Sequence, residues 1–199
     1  MNTEAIVIGR VLRASTVGFA CGTRSSEIDL PSFGAFVMTP GREPRDPALI
    51  GLIYAIRIDD DPLIRQLIMA NHLNMTTIRD QRENRMVPVE ISIVNIGYQI
   101  EGACYHSLPP RPPISLDPVY LCAGADVRAF TQSFDFFRLV LNAPEVPSEE
   151  LMAAAIRQAA ASRPEHEQRD FLVRAGRRLA TMLGADLPRL DHLLRLIRP

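Results

Sequence analysis

Three consecutive aspartates, Asp59, Asp60 and Asp61, are the most obvious group of potential metal ligands in the sequence. Adjacent carboxylates can bind a divalent ion and help to position water for hydrolysis. Neighbouring side chains point in different directions, however, and Asp61 precedes Pro62, where a helix N-cap is expected. No HExxH or second spaced acidic motif accompanies them. We therefore predict a helix start without a metal site, and keep a metal-dependent hydrolase as a remote alternative.

The histidines and serines fit no catalytic motif. Residues 165–167 read glutamate, histidine, glutamate and so contain the H-x-E of zinc deaminases, but the downstream P-C-x-x-C is missing. Ser15, Ser25 and Ser26 lie in no G-x-S-x-G elbow. The histidines are isolated from one another in the sequence: His72, His106, His166 and His192. We therefore predict a protein with no enzyme activity and no cofactor.

The cysteine and lysine content excludes further classes of site. Cys21, Cys104 and Cys122 are odd in number and have no CxxC spacing, so we expect reduced, partly buried thiols rather than disulfides or a zinc knuckle. All 22 basic residues are arginine. A GxxxxGK[ST] phosphate loop and Schiff-base catalysis both need a lysine, so neither is available.

One predicted helix is rich in arginine. Arg174, Arg177 and Arg178 could form a basic face for phosphate contacts, together with Arg163 or Arg169. Acidic residues close by favour a mixed-charge, solvated face instead: Glu165, Glu167 and Asp170. The formal charge of the whole chain is -1, which gives no general attraction to polyanions. A nucleic-acid-associated factor that binds through Arg174, Arg177 and Arg178 is therefore our alternative hypothesis.

The first half of the chain has the pattern of strands and turns. Val89, Ile91 and Ile93 alternate with polar residues, which is typical of a strand with one buried face. Such runs predict four strands and a hairpin partner: residues 5–13, 33–38, 50–58 and 87–98, followed by 101–106. Glycines inside them indicate bulges or corners where a small sheet closes on itself: Gly9, Gly34, Gly51 and Gly97. A helical insertion over residues 61–84 interrupts this predicted barrel.

Beyond Asp126 the pattern is helical, and we predict about four helices. The first has aromatic and apolar side chains at helical spacing: Phe130, Phe134, Phe137 and Leu141. Ser148 is the candidate N-cap of the second helix and Asp186 that of the last, while Gly184 is placed to end the third. The third and fourth carry apolar stripes: Leu172, Ala175, Leu179 and Met182, then Leu190, Leu194 and Ile197.

A run of prolines separates the two halves. Prolines lack the amide hydrogen that a central strand or a helix interior needs, so we predict an extended strap over residues 108–125, ending in an extended segment at 114–122. We expect the start of this region to contact a partner protein: Tyr105, Pro109, Pro110, Arg111, Pro112 and Pro113. Alternatively, the PxxP formed by Pro109 and Pro112 could be a ligand for a proline-binding domain.

Together these patterns predict an α+β protein. Residues 1–107 form a closed antiparallel β-barrel with the helical insertion, residues 108–125 the strap, and residues 126–199 a helical domain. The N-terminus lacks the basic region of a signal peptide, and no apolar stretch approaches the roughly 20 residues that span a bilayer. We therefore expect a cytoplasmic protein without membrane contact.

The strand motifs resemble the HAS-barrel family. The residues that carry the resemblance are IGRVLRASTVGFACG, LPSFGAFVMTPG and IGLIYAIRI. They are similar to the family's glycine-valine opening strand, its "pFGafV" turn and strand, and its "iGlIyai" strand. The family takes its name from the small barrel at the N-terminus of HerA-type DNA-translocating ATPases and of the ATP synthase catalytic-ring subunits. VPVEISIVNIGY, LPPRPP and the FDFF segment at residues 134–137 resemble stand-alone bacterial HAS-barrel proteins.

The resemblance implies a barrel of about six strands that acts as an assembly module, because such barrels crown the ATPase rings and hold neighbours or partners. This chain is too short for the ATPase core and has no lysine, so any link to ATP or DNA would depend on a partner. Our leading hypothesis is a non-catalytic interaction protein, an accessory of a ring ATPase or DNA-processing complex. Its oligomeric state stays open, with weak self-association as one option.

Overall fold

The computed structural model describes residues 6–24, 31–43, 45–58, 69 and 88–198. Strands occupy the first part of these residues, and helices follow residue 123. The strands are β1 (Val7–Ala14), β2 (Gly18–Arg24), β3 (Phe36–Thr39), β4 (Ala48–Ile58), β5 (Pro88–Ile100), β6 (Ala103–Tyr105) and β7 (Pro118–Leu121). The helices after residue 123 are α1 (Gly124–Phe130), α2 (Phe137–Leu141), α3 (Ser148–Ala161), α4 (Glu165–Met182) and α5 (Leu187–Ile197).

Six of these strands close into an antiparallel barrel. The order around it is β1, β2, β5, β4, β3 and β7, and β7 pairs with β1 to complete the ring. β6 pairs with β5 outside the ring, through a turn in which Glu101 and Gly102 both have positive φ. The closed barrel and the helices after it confirm the predicted α+β fold.

Two barrel strands are not among the barrel strands that the sequence pattern predicts. β2 has two glycines in seven residues, Gly18 and Gly22, and therefore shows no clear apolar alternation. β7 lies within the extended segment predicted at residues 114–122, which is confirmed as extended over β7, but this strand belongs to the barrel and fills the gap between β1 and β3. The predicted insertion at residues 61–84 falls outside the described residues, apart from Met69.

One apolar cluster fills the barrel interior. The alternating side chains of β5 point into it, and Gly51 of β4 allows close packing there, because a Cβ at this glycine would lie 2.4 Å from Cγ2 of Ile93. β4 also changes register against β5 between Ile50 and Gly51, so this glycine lies at a bulge, as predicted. The interior cluster consists of Ile8, Val11, Phe19, Cys21, Ala35, Val37, Ile53, Val89, Ile91, Ile93 and Val119.

The helices pack on the outer face of the barrel. Phe36, Leu52 and Val94 belong to a second buried cluster that also contains the apolar side chains of the helices. The ring of Phe36 stands edge-on to that of Phe136, with 6.3 Å between centroids. Gly34, with a φ of 82°, lies close to α3, because a Cβ added to it would be 2.5 Å from Cβ of Ala154. The helical part is therefore docked on the barrel through a shared core.

The aromatic stripe predicted as one helix is divided between two. α1 ends at Phe130, and α2 begins at Phe137 after a turn. Phe130 and Phe137 are buried, and the half-buried Phe134 packs on Phe171 of α4 at 5.4 Å. The stripe packs in the core, as its apolar spacing predicts, with Phe134 on the turn between the two helices.

The two predicted N-caps behave differently. Asp186 caps α5, because its Oδ1 accepts the amide of Arg189 at 3.2 Å. Ser148 is instead the first residue of α3, and its hydroxyl donates to Glu149. The side chain of Ser148 therefore does not satisfy the free amides of that helix.

Candidate interaction surface

Of the four prolines at residues 109–113, the outer two are buried and the inner two are exposed. Pro109 and Pro113 are buried, whereas Pro110, Arg111 and Pro112 are exposed. The buried pair anchors this segment on the molecule. Because Pro109 is buried, the predicted PxxP does not present both of its prolines to solvent.

Tyr105 lies at the end of β6, just before the strap. Its ring stacks on that of Tyr98 in β5, with centroids 5.1 Å apart and planes 13° apart, and the residue is 45% exposed. Tyr105 and the exposed strap residues are therefore accessible, although the structure places Pro109 and Pro113 inside.

The strap turns back on itself at residues 114–117. The amide of Ile114 donates to Oδ2 of Asp117 at 2.8 Å, and the amide of Asp117 donates to the carbonyl of Ile114 at 3.1 Å. The amide of Leu116 donates to the carbonyl of Val11 in β1 at 2.8 Å, and the amide of Val11 returns a bond to Asp117 at 3.0 Å. This turn is thus joined to β1 by two backbone hydrogen bonds.

Large aliphatic side chains are exposed where this turn meets β1. Leu12 is 52% exposed, Ile114 53% and Leu116 68%. We call these three residues the strap–β1 patch. Leu116 also has a φ of 71°, in the left-handed region that a leucine rarely adopts. Ile114 and Leu116 are exposed on this one turn, and Leu12 is exposed on the strand to which the turn is hydrogen-bonded, with its side chain over Gly22 of β2.

A polar cavity of about 450 Å³ lies between β6 and α1, and it contains Cys104 and His106. Nε2 of His106 is 3.0 Å from the carbonyl oxygen of Phe130, and burial lowers the pKa of this histidine. Burial raises the pKa of Cys104. Nucleophilic cysteines need a lowered pKa, so this pair does not have the electrostatics of a thiolate site.

The other two thiols, Cys21 and Cys122, also have raised pKa values. Burial raises the pKa of Cys21 in the barrel interior, and that of Cys122 after β7, to about 12 in each case. All three cysteines are free, as predicted. They behave as small apolar side chains at neutral pH.

The arginine face of α4 is largely neutralised. Nε of Arg174 lies 3.0 Å from Oδ2 of Asp170, and Nη2 of Arg178 lies 2.9 Å from Oδ1 of Asp135. Arg177 is exposed and makes no ion pair with a described residue. The three arginines of the nucleic-acid hypothesis therefore do not add up to a free basic patch.

Arg163 points inward instead of joining that face. It is 8% exposed, and its guanidinium lies 3.7 Å from the ring centroid of Phe171. Nη2 donates to the hydroxyl of Thr131 at 2.7 Å and to its carbonyl at 3.2 Å. Arg163 thus connects the end of α3 to the turn between α1 and α2, which is a structural role.

The remaining candidate residues either lie outside the described residues or contact single partners. Asp59, Asp60, Asp61, His72, Ser25 and Ser26 lie outside the described residues. Within the described ranges, no three His, Cys, Asp or Glu side chains are grouped as metal ligands. His166 and His192 lie near single glutamates, at 3.6 and 3.8 Å. The Ser15 hydroxyl belongs to the β1–β2 turn, where it bonds Gly18.

The strap–β1 patch could not be predicted from local patterns, because Leu12 and Leu116 are 104 positions apart and their exposure depends on how the turn at residues 114–117 meets β1. No family model matches the chain, and no curated protein matches it either. Of the described helices, none is long and apolar enough to cross a membrane.

Proposed function

We propose that this protein is a non-catalytic interaction module that binds a partner protein through the strap–β1 patch. The observation that carries the proposal is the exposure of Leu116 on a turn that the surrounding hydrogen bonds hold in place. An apolar side chain presented on a fixed turn can bury its surface against a partner with little loss of conformational entropy.

The conformation of Leu116 supports this proposal. A left-handed conformation costs a residue with a side chain roughly 1–2 kcal/mol, whereas glycine adopts it freely. A leucine at this position therefore lowers the stability of the free protein and exposes apolar surface as well. Binding of a partner would offset both costs, since strained positions are often found at functional surfaces.

The chemistry of the described side chains is compatible with a module that has no reaction to catalyse. The cysteines have raised pKa values, and the nitrogen of His106 that faces Phe130 is occupied by a carbonyl oxygen. The resemblance to the HAS-barrel family adds the assembly role and, as part of the same proposal, a ring ATPase as the machine to which the partner belongs.

Site-specific photo-crosslinking in the host cell tests this proposal. A photoreactive amino acid replaces Leu116 in one variant and Ile114 in a second. The matched control replaces Leu187, which is 65% exposed on α5. We expect the two patch positions to give the same discrete adduct, identified by mass spectrometry, and position 187 not to give it. No adduct from either patch position, or the same adduct from position 187, would overturn the proposal.

A further inference from the structure

We infer that the groove between α4 and α5 binds a free, single-chain anionic amphiphile, namely a long-chain carboxylate. The inference is independent of the proposed function, which concerns the strap. The groove has a volume of about 580 Å³, within the range of about 300–1,000 Å³ that is usual for small-molecule sites. Apolar side chains of both helices line it together with Gly176, and charged side chains lie at one end.

The apolar walls of the groove lie mostly below its surface. Leu172 and Leu194 are half-buried and Ile197 is 6% exposed, whereas Val173 is 44% exposed. An acyl chain is narrow enough to enter between the helices and contact the deeper side chains, which a flat protein surface does not reach. Each methylene group that leaves water there adds to the affinity.

Gly176 keeps one end of the groove open. A glycine in the interior of a helix such as α4 is less favourable than an alanine, so a structural or functional reason for it is expected. A Cβ added at Gly176 would meet no described atom closer than Cδ2 of Leu194 at 3.5 Å, which is an ordinary contact distance. The packing of the described residues therefore does not require a glycine at this position. A ligand that lies across Gly176 would require it.

Two arginines lie towards the other end of the groove, Arg169 on α4 and Arg198 directly after α5. The helical rise separates Arg169 from Gly176 by about 10 Å along α4. Both arginines are exposed, and neither guanidinium makes an ion pair or hydrogen bond with another described residue. Arg174 and Arg195, in contrast, pair with aspartates four positions earlier. A guanidinium can donate two parallel hydrogen bonds to a carboxylate, so Arg169 and Arg198 favour an anionic head group.

Glu165 lines the groove one turn before Arg169. Its carboxylate makes no ion pair with a described residue, so it does not neutralise either guanidinium directly. Its negative charge nevertheless opposes the binding of an anion at this end. Glu165→Gln should therefore strengthen the binding of a carboxylate.

Isothermal titration calorimetry of the full chain with dodecanoate, below its micelle-forming concentration, tests the inference. Butyrate is the comparison compound with the same head group and a short tail. Dodecyltrimethylammonium has the same tail length and a cationic head group. We expect one dodecanoate to bind per chain, and both comparison compounds to bind more weakly by about tenfold or more.

Substitutions test the two ends of the groove separately. Arg169→Glu and Arg198→Glu should each weaken dodecanoate binding about tenfold, because each replaces a donor to the carboxylate with a repulsive charge. Arg177→Glu makes the same change of charge at an exposed position on α4 outside the groove, and should leave the binding unchanged. Gly176→Leu should fill the groove and abolish binding, whereas Gly176→Ala should retain it. Leucine and alanine are both better helix formers than glycine, so both variants should fold.

Equal binding of dodecanoate and dodecyltrimethylammonium, equal effects of Arg169→Glu and Arg177→Glu, or unchanged binding by Gly176→Leu would overturn the inference. So would binding to phosphatidylglycerol vesicles without binding of free dodecanoate, because the groove would then contact a membrane. A complete failure of dodecanoate to bind would also overturn it. The strap–β1 patch would still be judged by its own cross-linking experiment.

Discussion

The docking of the helices on the barrel predicts a large cost for a single methyl group at Gly34. This residue has a φ of 82°, and a Cβ added there would lie 2.5 Å from Cβ of Ala154 and 3.1 Å from its carbonyl carbon. Gly102 is a matched control, because it has a φ of 84° and nothing within 4 Å of an added Cβ. Gly102→Ala therefore measures the backbone cost alone, and Gly34→Ala adds the contact with α3.

The magnitudes follow from these two environments. Left-handed backbone costs alanine roughly 1–2 kcal/mol, partly offset by about 0.4–1 kcal/mol from the lower entropy of the unfolded chain. Gly102→Ala should thus lower the free energy of unfolding by about 1 kcal/mol. Overpacking at a well-packed contact costs about 1–3 kcal/mol more, so Gly34→Ala should lower it by about 2–4 kcal/mol.

Urea denaturation followed by far-ultraviolet circular dichroism measures both values. Adding Ala154→Gly to Gly34→Ala should recover part of the contact cost, because it removes the nearest atom, although the carbonyl carbon of residue 154 remains close. The two single glycine variants would be equally stable if α3 did not pack on Gly34. That result would refute the shared core between barrel and helices.

Two further predictions concern polar side chains, the half-buried His106 and the buried Arg163. Because burial lowers the pKa of His106 below its ordinary 6.5, the unfolded state binds a proton more readily. The stability that His106 contributes should thus be present above pH 6.5 and be lost as the pH falls below it, and His106→Gln should remove this slope in urea titrations between pH 7.5 and 5.5. Arg163→Met removes the buried donor to the Thr131 hydroxyl, which still donates to Val127, and should lower the free energy of unfolding by about 1–3 kcal/mol. Arg177→Met, at an exposed position, should change it by less than about 0.5 kcal/mol, and similar losses for both arginines would contradict the structural role of Arg163.

Patterns among residues close together in the sequence could predict some parts of the candidate surface but not others. The proline run identifies an extended segment, because each proline removes an amide donor wherever the chain goes. The same run does not predict that Pro109 and Pro113 are buried while Arg111 is exposed. The burial of each of these residues depends on how the segment packs in the folded protein. The arginine spacing of α4 likewise predicts a charged face, but the neutralisation of Arg178 depends on Asp135, 43 positions away.

The amino-acid sequence by itself determined the class of the fold and much of its local structure. Apolar alternation in β5, helical spacing after Asp126 and the N-cap at Asp186 all act between residues a few positions apart, so they can be recognised without a partner. Only the tertiary structure decided that β2, with its two glycines, is a strand, that β7 closes the barrel, and that Ile114 and Leu116 are exposed on a turn hydrogen-bonded to β1. These features depend on contacts between distant segments, whose free energy comes from closing the barrel and is not encoded in any short stretch of the chain.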